Sequence, residues 1–324
     1  MPSQIRVLVI GAGNRGGNYS SFALHYPARM KVIGVADPRA FARKALQEAH
    51  KIDDDNVFED WRPAAERERF ADAVIIATPD RLHKAPAVAF AQRGYHILLE
   101  KPMAVTPEDC KEIVQACQAS NIILTVCHVL RYHPVALKIK EVLERDLIGD
   151  ICHIQHLEPV SPSEKTGPSV ESSFSLLAKS CHDVDLINFW MGGKRCLKVS
   201  SFGSLSHFTQ QHKPEGAAQR CLDCPVEQTC PYSAKKIYLK LAEDGHFHWP
   251  VSVVCSSTQC DIESLTQALK HGLYGRCVYE CDNDVVTNQV VNMEFEGGTT
   301  AAFTMVAFTE KLGVRKTTIY GTKK

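Results

Sequence analysis

The 324-residue sequence predicts two domains: a doubly wound α/β domain with a parallel sheet over residues 1–128, and an α+β domain with a largely antiparallel sheet over 129–324. Three observations carry this. The run Ile5-Arg6-Val7-Leu8-Val9-Ile10 passes directly into Gly11-Ala12-Gly13-Asn14-Arg15-Gly16, an apolar, β-branched strand turned sharply into a helix by glycines. Strand-like and helix-like patterns then alternate over the first 130 residues or so, as right-handed crossovers in a parallel sheet require. Beyond that region strand signals follow one another with a Gly-Gly turn between two of them, the mark of antiparallel pairing.

The elements follow in order. Lys31–Ala36 reads as a second strand, and Ala40–His50 has helical composition. Ala73–Ala77 is a short apolar strand broken by Thr78-Pro79-Asp80; helical spacing runs from His83 to Arg93 and stops at Gly94. His96–Leu99 is a strand, and Thr106-Pro107-Glu108-Asp109 starts a helix, with Thr106 as cap and Pro107 in the first turn. That helix is expected to reach Ser120, ahead of a strand at Ile122–Val126. In the second half, a helix follows Pro134 and a strand covers Ile151–Leu157. A Pro/Ser/Gly-rich loop spans Pro159–Ser173, and a helix covers His182–Met191. Strands are expected at Leu197–Ser206, Val285–Phe295, Thr299–Ala307 and Lys316–Tyr320, with a hairpin turn at Glu296-Gly297-Gly298-Thr299. Residues 210–270 receive no assignment.

Composition narrows the function. Thirty-seven basic and thirty-seven acidic residues cancel, so no basic field points to nucleic acid or an anionic membrane. No apolar run approaches the length of a span, and residues 1–10 lack the pattern of a signal peptide. Thirteen cysteines, an odd number scattered through apparent helices and strands, fit free thiols in a reducing compartment, so a cytoplasmic protein is expected.

The chemistry gathers at the carboxyl ends of the first domain's strands, where such sheets bind ligands. Gly11 permits the tight turn, Gly13 the approach of a pyrophosphate, and Gly16 close packing of helix on strand. Asp37 ends the second strand about 20 residues on, where a dinucleotide site wants a carboxylate for the ribose. NAD is therefore the expected cofactor, and Arg39 keeps NADP open, since it could pair with a 2′-phosphate. Glu100-Lys101-Pro102 follows the strand before it at the same edge, where a lysine can set a positive charge against a substrate oxygen. In the second domain, Lys179-Ser180-Cys181-His182-Asp183-Val184-Asp185 opens a helix. His182 and Asp185 share a face there, as do Lys179 and His182, and histidine suits proton transfer near neutrality.

In order along the chain, Gly11–Gly16, Asp37, Ala77-Thr78-Pro79 with His83, Glu100-Lys101-Pro102, Arg131-Tyr132-His133-Pro134 and Cys181–Asp185 resemble the Gfo/Idh/MocA family. Its namesakes are glucose–fructose oxidoreductase and inositol dehydrogenase. The resemblance implies a nicotinamide-dependent oxidoreductase acting on a secondary hydroxyl of a sugar, polyol or cyclic diol. It implies that NAD lies over Gly11, Gly13, Asn14, Arg15 and Gly16, with Asp37, Thr78, His83, Glu100 and Lys101 completing the cofactor side. His182 becomes the proton-transfer residue and Lys101 the electrostatic partner, with Lys179 and Asp183 beside them. His128, Arg131 and Asp185 join Lys101 as substrate-binding candidates. Two departures stand out. Ala178 occupies the place of an aspartate common four residues before the histidine, with Lys179 beside it. The chain also stops at Lys323-Lys324, soon after the family's Gly-Thr turn, here Gly321-Thr322, so part of the second domain is expected to be missing. The alternatives are an NAD-dependent glycosidase or lyase that reduces its cofactor transiently, and a non-catalytic dinucleotide-binding regulator. A homodimer or homotetramer is expected.

Cys221-Leu222-Asp223-Cys224 with Cys230 is the remaining constellation. The pair suits one side of a tetrahedral metal, and Cys230, His246, His248, Cys255 or Cys260 could complete it. No spacing forces a choice, and free thiols with no metal are the expected state.

Overall fold

The computed structural model describes residues 4–160, 175–255, 260–282, 284–309 and 314–323. Most of the expected loop at Pro159–Ser173 lies outside them. The chain separates into two compact units, the first running through His128 and the second starting at Val129.

The first unit is a six-stranded parallel sheet of β1 (Ile5–Ile10), β2 (Met30–Ala36), β3 (Val57–Phe58), β4 (Ala73–Ile76), β5 (His96–Leu99) and β6 (Leu124–Val126). The order is β3-β2-β1-β4-β5-β6, with every pairing parallel. The alternation along β1 shows why both faces are covered. Leu8 and Ile10 join one buried cluster with Val74, Ile76, Phe90 and Leu99. Val7 and Val9 join another with Val32, Val35 and Ile75 on the opposite face. The expected helices form at Ala40–His50, Lys84–Gln92 and Pro107–Ala119. Thr106 caps the last of these, its hydroxyl accepting from the Asp109 N–H at 3.1 Å, with Pro107 in the first turn. The two-residue β3 carried no sequence signal. Strand order reverses between β1 and β4, which places a ligand crevice beyond their carboxyl ends.

The second unit holds β7 (Ile151–Pro159), β8 (Cys196–Ser204), β9 (Asn288–Phe295), β10 (Thr300–Val306) and β11 (Lys316–Gly321), in the order β11-β7-β10-β9-β8. Three of the four pairings are antiparallel and β7–β10 is parallel. The β9–β10 hairpin turns at the expected glycines, with φ of +79° at Gly297 and +78° at Gly298, a conformation that side chains resist. The helix Cys181–Trp190 lays Leu186, Ile187 and Trp190 on the sheet against Ile154, Phe295 and Phe303. The unassigned stretch folds around its own small core of Tyr238, Val251, Leu265 and Leu269. Its longest helix, Ile262–His271, starts with a capping box between Asp261 and Ser264, a signal present in the sequence at that spacing. Among the described residues no helix is long and apolar enough to cross a membrane.

Candidate active site

The glycine loop has the geometry its sequence requires. Gly11 takes φ +92°, and a Cβ there would lie 2.5 Å from the Ala77 carbonyl oxygen; a Cβ on Gly16 would lie 1.9 Å from the Gly11 oxygen. Side chains are thus excluded where the strand-to-helix turn packs against the end of β4 and against itself. Asn14 and Arg15 open the helix Asn14–Ser20 beside this loop. Asp37 is buried, and the loop itself holds it: the Ala12 N–H donates to Oδ2 at 2.7 Å. Arg39 then forks onto both oxygens, Nε to Oδ1 at 2.9 Å and Nη2 to Oδ2 at 2.8 Å. Burial works against the charge on Asp37, but the bonds from Arg39 and Ala12 outweigh it and keep the carboxyl below its ordinary value. The Arg39 guanidinium also lies 3.4 Å from where a Gly13 Cβ would stand, so it borders both the ribose carboxylate and the phosphate loop.

Glu100 clasps the loop after β5. Its Oε1 accepts from the Tyr19 hydroxyl at 2.6 Å and faces Arg15 at 3.6 Å, while Oε2 accepts from the Lys101 N–H at 2.7 Å. Burial first, then the Glu100 contact, raises the Tyr19 phenol and keeps it a donor. Sequence reasoning missed Tyr19, 81 residues from its partner. His83, expected among the cofactor contacts, is fully buried, with Nδ1 2.8 Å from the Pro102 carbonyl and Nε2 2.8 Å from the Thr78 carbonyl. Both ring edges are spent on backbone, so His83 pins the Glu100-Lys101-Pro102 turn to the Thr78 turn instead of presenting an edge to a ligand. Thr78 donates to the Leu82 carbonyl at 3.3 Å. His128 ends the first unit just beyond β6.

In the second unit His182 sits nearly buried in the first turn of its helix. Asp183, expected to orient it, is fully buried and committed elsewhere. It accepts from His156 Nε2 at 2.9 Å and from Arg315 Nε at 2.5 Å. Arg315 also reaches Glu158 at 2.7 Å, to which Ser180 donates at 3.2 Å. Asp183 therefore belongs to a buried ionic knot behind the helix and not to substrate. Asp185 takes a two-pronged bond from Arg131, at 2.7 and 2.6 Å, so two substrate candidates meet each other. Lys179 acts on the knot through its charge, which favours ionised Glu158.

Burial and the neighbouring Asp183 carboxylate push Glu158 up to about 8, while Asp183, despite burial, is driven below the carboxylate range by His156, Glu158 and Arg315. The signs differ. The raised Glu158 contributes stability that is complete below its ordinary value near 4.5 and is lost as pH rises through about 8. The lowered Asp183 contributes stability that is present above its ordinary value and lost as pH falls. Glu158→Gln stays neutral at every pH, so its thermal midpoint is expected to gain on wild type between about pH 5 and pH 9. Parallel midpoint curves would show Glu158 ionised throughout.

Residues 5–128 match the model of the GFO_IDH_MocA oxidoreductase family with its NAD-binding Rossmann fold. Over those residues the chain is similar to the Gfo/Idh/MocA family. Among curated relatives of this chain, 2,7-anhydro-N-acetylneuraminate hydratase of Mediterraneibacter gnavus is 29% identical over 55% of this chain and 47% of that protein. Levoglucosan dehydrogenase of Pseudarthrobacter phenanthrenivorans is 31% identical over 50% and 42%. The chain thus spans under half the length of either. The crystal structure of scyllo-inositol dehydrogenase from Lactobacillus casei with NAD(H) and scyllo-inositol shares the fold, with a TM-score of 0.66 at 18% identity, covering 99% of this chain and 75% of that one. The first unit is therefore an NAD-binding Rossmann domain, and its glycine loop and buried Asp37 suit that cofactor.

Proposed function

We propose that this chain is an NAD-dependent dehydrogenase that oxidises a secondary hydroxyl of a sugar, polyol or cyclic diol to the ketone. The carrying observation is Lys101, fixed by Glu100, Tyr19 and His83 at the ligand edge of an NAD-binding sheet. Gly11, Gly13, Asn14, Arg15 and Gly16 hold the pyrophosphate, and Asp37 the adenosine ribose. NAD, when bound, supplies the hydride acceptor. His182 takes the hydroxyl proton, and Lys101 stabilises the negative charge that grows on the same oxygen. Arg131 with Asp185, His128 and Lys179 grip and orient the other hydroxyls. The levoglucosan dehydrogenase relative supports this chemistry. A cytoplasmic homodimer or homotetramer fits the exposure of Leu197, Val199 and Phe202 along β8.

The test is a screen of sugars, inositols and cyclic diols that follows absorbance of the reduced cofactor. Accumulation with one of them supports the reading. The hydratase relative favours a second reading, a lyase in which reduction is transient. Product formation with no accumulated reduced cofactor would replace the first reading with that one. No turnover despite tight NAD binding would leave a regulator.

Cofactor choice is expected to favour NAD, because Asp37 repels a 2′-phosphate. Arg39→Ala removes the cation forked onto Asp37, and is expected to weaken NADP binding by about tenfold while changing NAD binding little. Titration of both cofactors checks this, and NADP tighter than NAD in the wild type would mean that Arg39 outweighs Asp37.

A further inference from the structure

The cysteine-bearing turns outside the dehydrogenase machinery carry a site of their own. Arg220 and Arg276 face each other in an isolated antiparallel bridge, and the Cys277 N–H donates to the Gln219 carbonyl at 2.8 Å. This joins two segments more than fifty residues apart in sequence. On the first, the turn Cys221–Asp223 curls back so that the Cys224 N–H reaches the Cys221 carbonyl, and the next turn brings the Cys230 N–H to the Val226 carbonyl at 3.1 Å. Cys221, Cys224, Cys230 and Cys277 thereby line one small cavity of about 20 Å³. The sequence candidates His246, His248, Cys255 and Cys260 do not line it, and Cys277 was not among them.

Two further observations point to a cluster of sulfurs that carries negative charge. Arg220 Nε and Arg276 Nε are buried with no hydrogen-bond acceptor among the described residues, and such donors pair well with thiolate sulfur. Lys213, bound to Glu280 at 2.7 Å, stands within electrostatic reach of Cys224 and Cys277. We propose that Cys221, Cys224, Cys230 and Cys277 form a four-thiolate site for a single Zn²⁺ ion. The cavity holds about one water-sized guest, which suits one ion and is too small for an iron–sulfur cluster. Among the described residues no three ligand side chains already surround one point in coordination geometry, so binding requires the thiols to turn inward about χ1 until each sulfur lies about 2.3 Å from the metal. Four S–H bonds break, four Zn–S bonds form, four protons pass to solvent, and no electrons move. The resulting double negative charge meets Arg220, Arg276 and Lys213. The ion staples the insertion between β8 and β9, whose own core is small.

The test uses the full chain, purified under reducing conditions, exposed to zinc chloride and dialysed. About one zinc per chain is expected, with Cys224→Ser and Cys277→Ser each lowering bound zinc by about tenfold or more and the exposed Cys152→Ser leaving it unchanged. Should those variants fail to fold, the wild type still decides. Four thiols are expected to react slowly with a thiol reagent until a chelator is added, and the thermal midpoint to fall on chelation. Zinc absent after dialysis, thiol reactivity indifferent to the chelator, or a brown product containing iron and sulfide would each overturn the single-zinc site.

Discussion

Replacing His182 with alanine is expected to slow turnover by about 10²- to 10⁴-fold while NAD affinity stays close to wild type. His182 is nearly buried in the first turn of Cys181–Trp190, in the second unit, whereas the glycine loop and Asp37 lie in the first. A proton-transfer role touches only the reacting hydroxyl, so the loss falls on the chemical step. Lys101→Met is the companion: the proposed mechanism sets its charge against the reacting oxygen, while the Glu100 clasp uses the Lys101 N–H. Steady-state rates with NAD and the best polyol, together with cofactor titration, separate the two effects. Turnover near wild type in either variant would remove that residue from the mechanism, and a matching loss of NAD affinity would reassign it to the cofactor.

Arg315→Met carries the largest expected cost in stability, about 3–5 kcal/mol. Arg315 is the cation that bonds both Asp183, fully buried, and Glu158, 1% exposed. Its removal leaves two carboxylates out of water, held among the described residues by His156, Ser180 and each other. Proton uptake by Glu158, already raised by burial and Asp183, relieves part of this, which sets the expectation toward the lower end at acid pH and the higher end at alkaline pH. Denaturant unfolding measures it. Adding Asp183→Asn to Arg315→Met is expected to recover part of the loss, because it removes the charge that lost its partner. A loss under about 1 kcal/mol would show that the knot is solvated and its ion pairs weak.

The dinucleotide cradle was legible because its requirements are local. Gly11 needs a positive φ, Gly16 a bare Cα, and Asp37 a place just past an apolar strand; all three are written within a few residues. Glu100-Lys101-Pro102 and Thr106-Pro107 were legible for the same reason. The clasps on these residues were not. Tyr19 meets Glu100 across 81 positions, and Arg315 meets Asp183 across 132. No periodicity encodes such pairs, since they form only when the fold brings the helices and loops that carry them together.

His83 and Asp183 show the cost of reading type without burial. Each has chemistry suited to a site, yet packing turns both ring nitrogens of His83 onto carbonyl oxygens and closes Asp183 within a charged knot. Cys277 shows the reverse: its sequence neighbours give no sign of Cys221 and Cys224, which the Arg220–Arg276 bridge brings alongside it.

From residue order alone came the two fold classes, the parallel sheet, the Gly297-Gly298 hairpin and the cofactor-binding loop, because backbone conformation and strand or helix period are set by near neighbours. Which polar side chains serve a ligand and which only hold the frame was decided by tertiary structure. Burial makes a charged or hydrogen-bonding group costly unless it finds a partner, and that partner comes from wherever the chain returns in space.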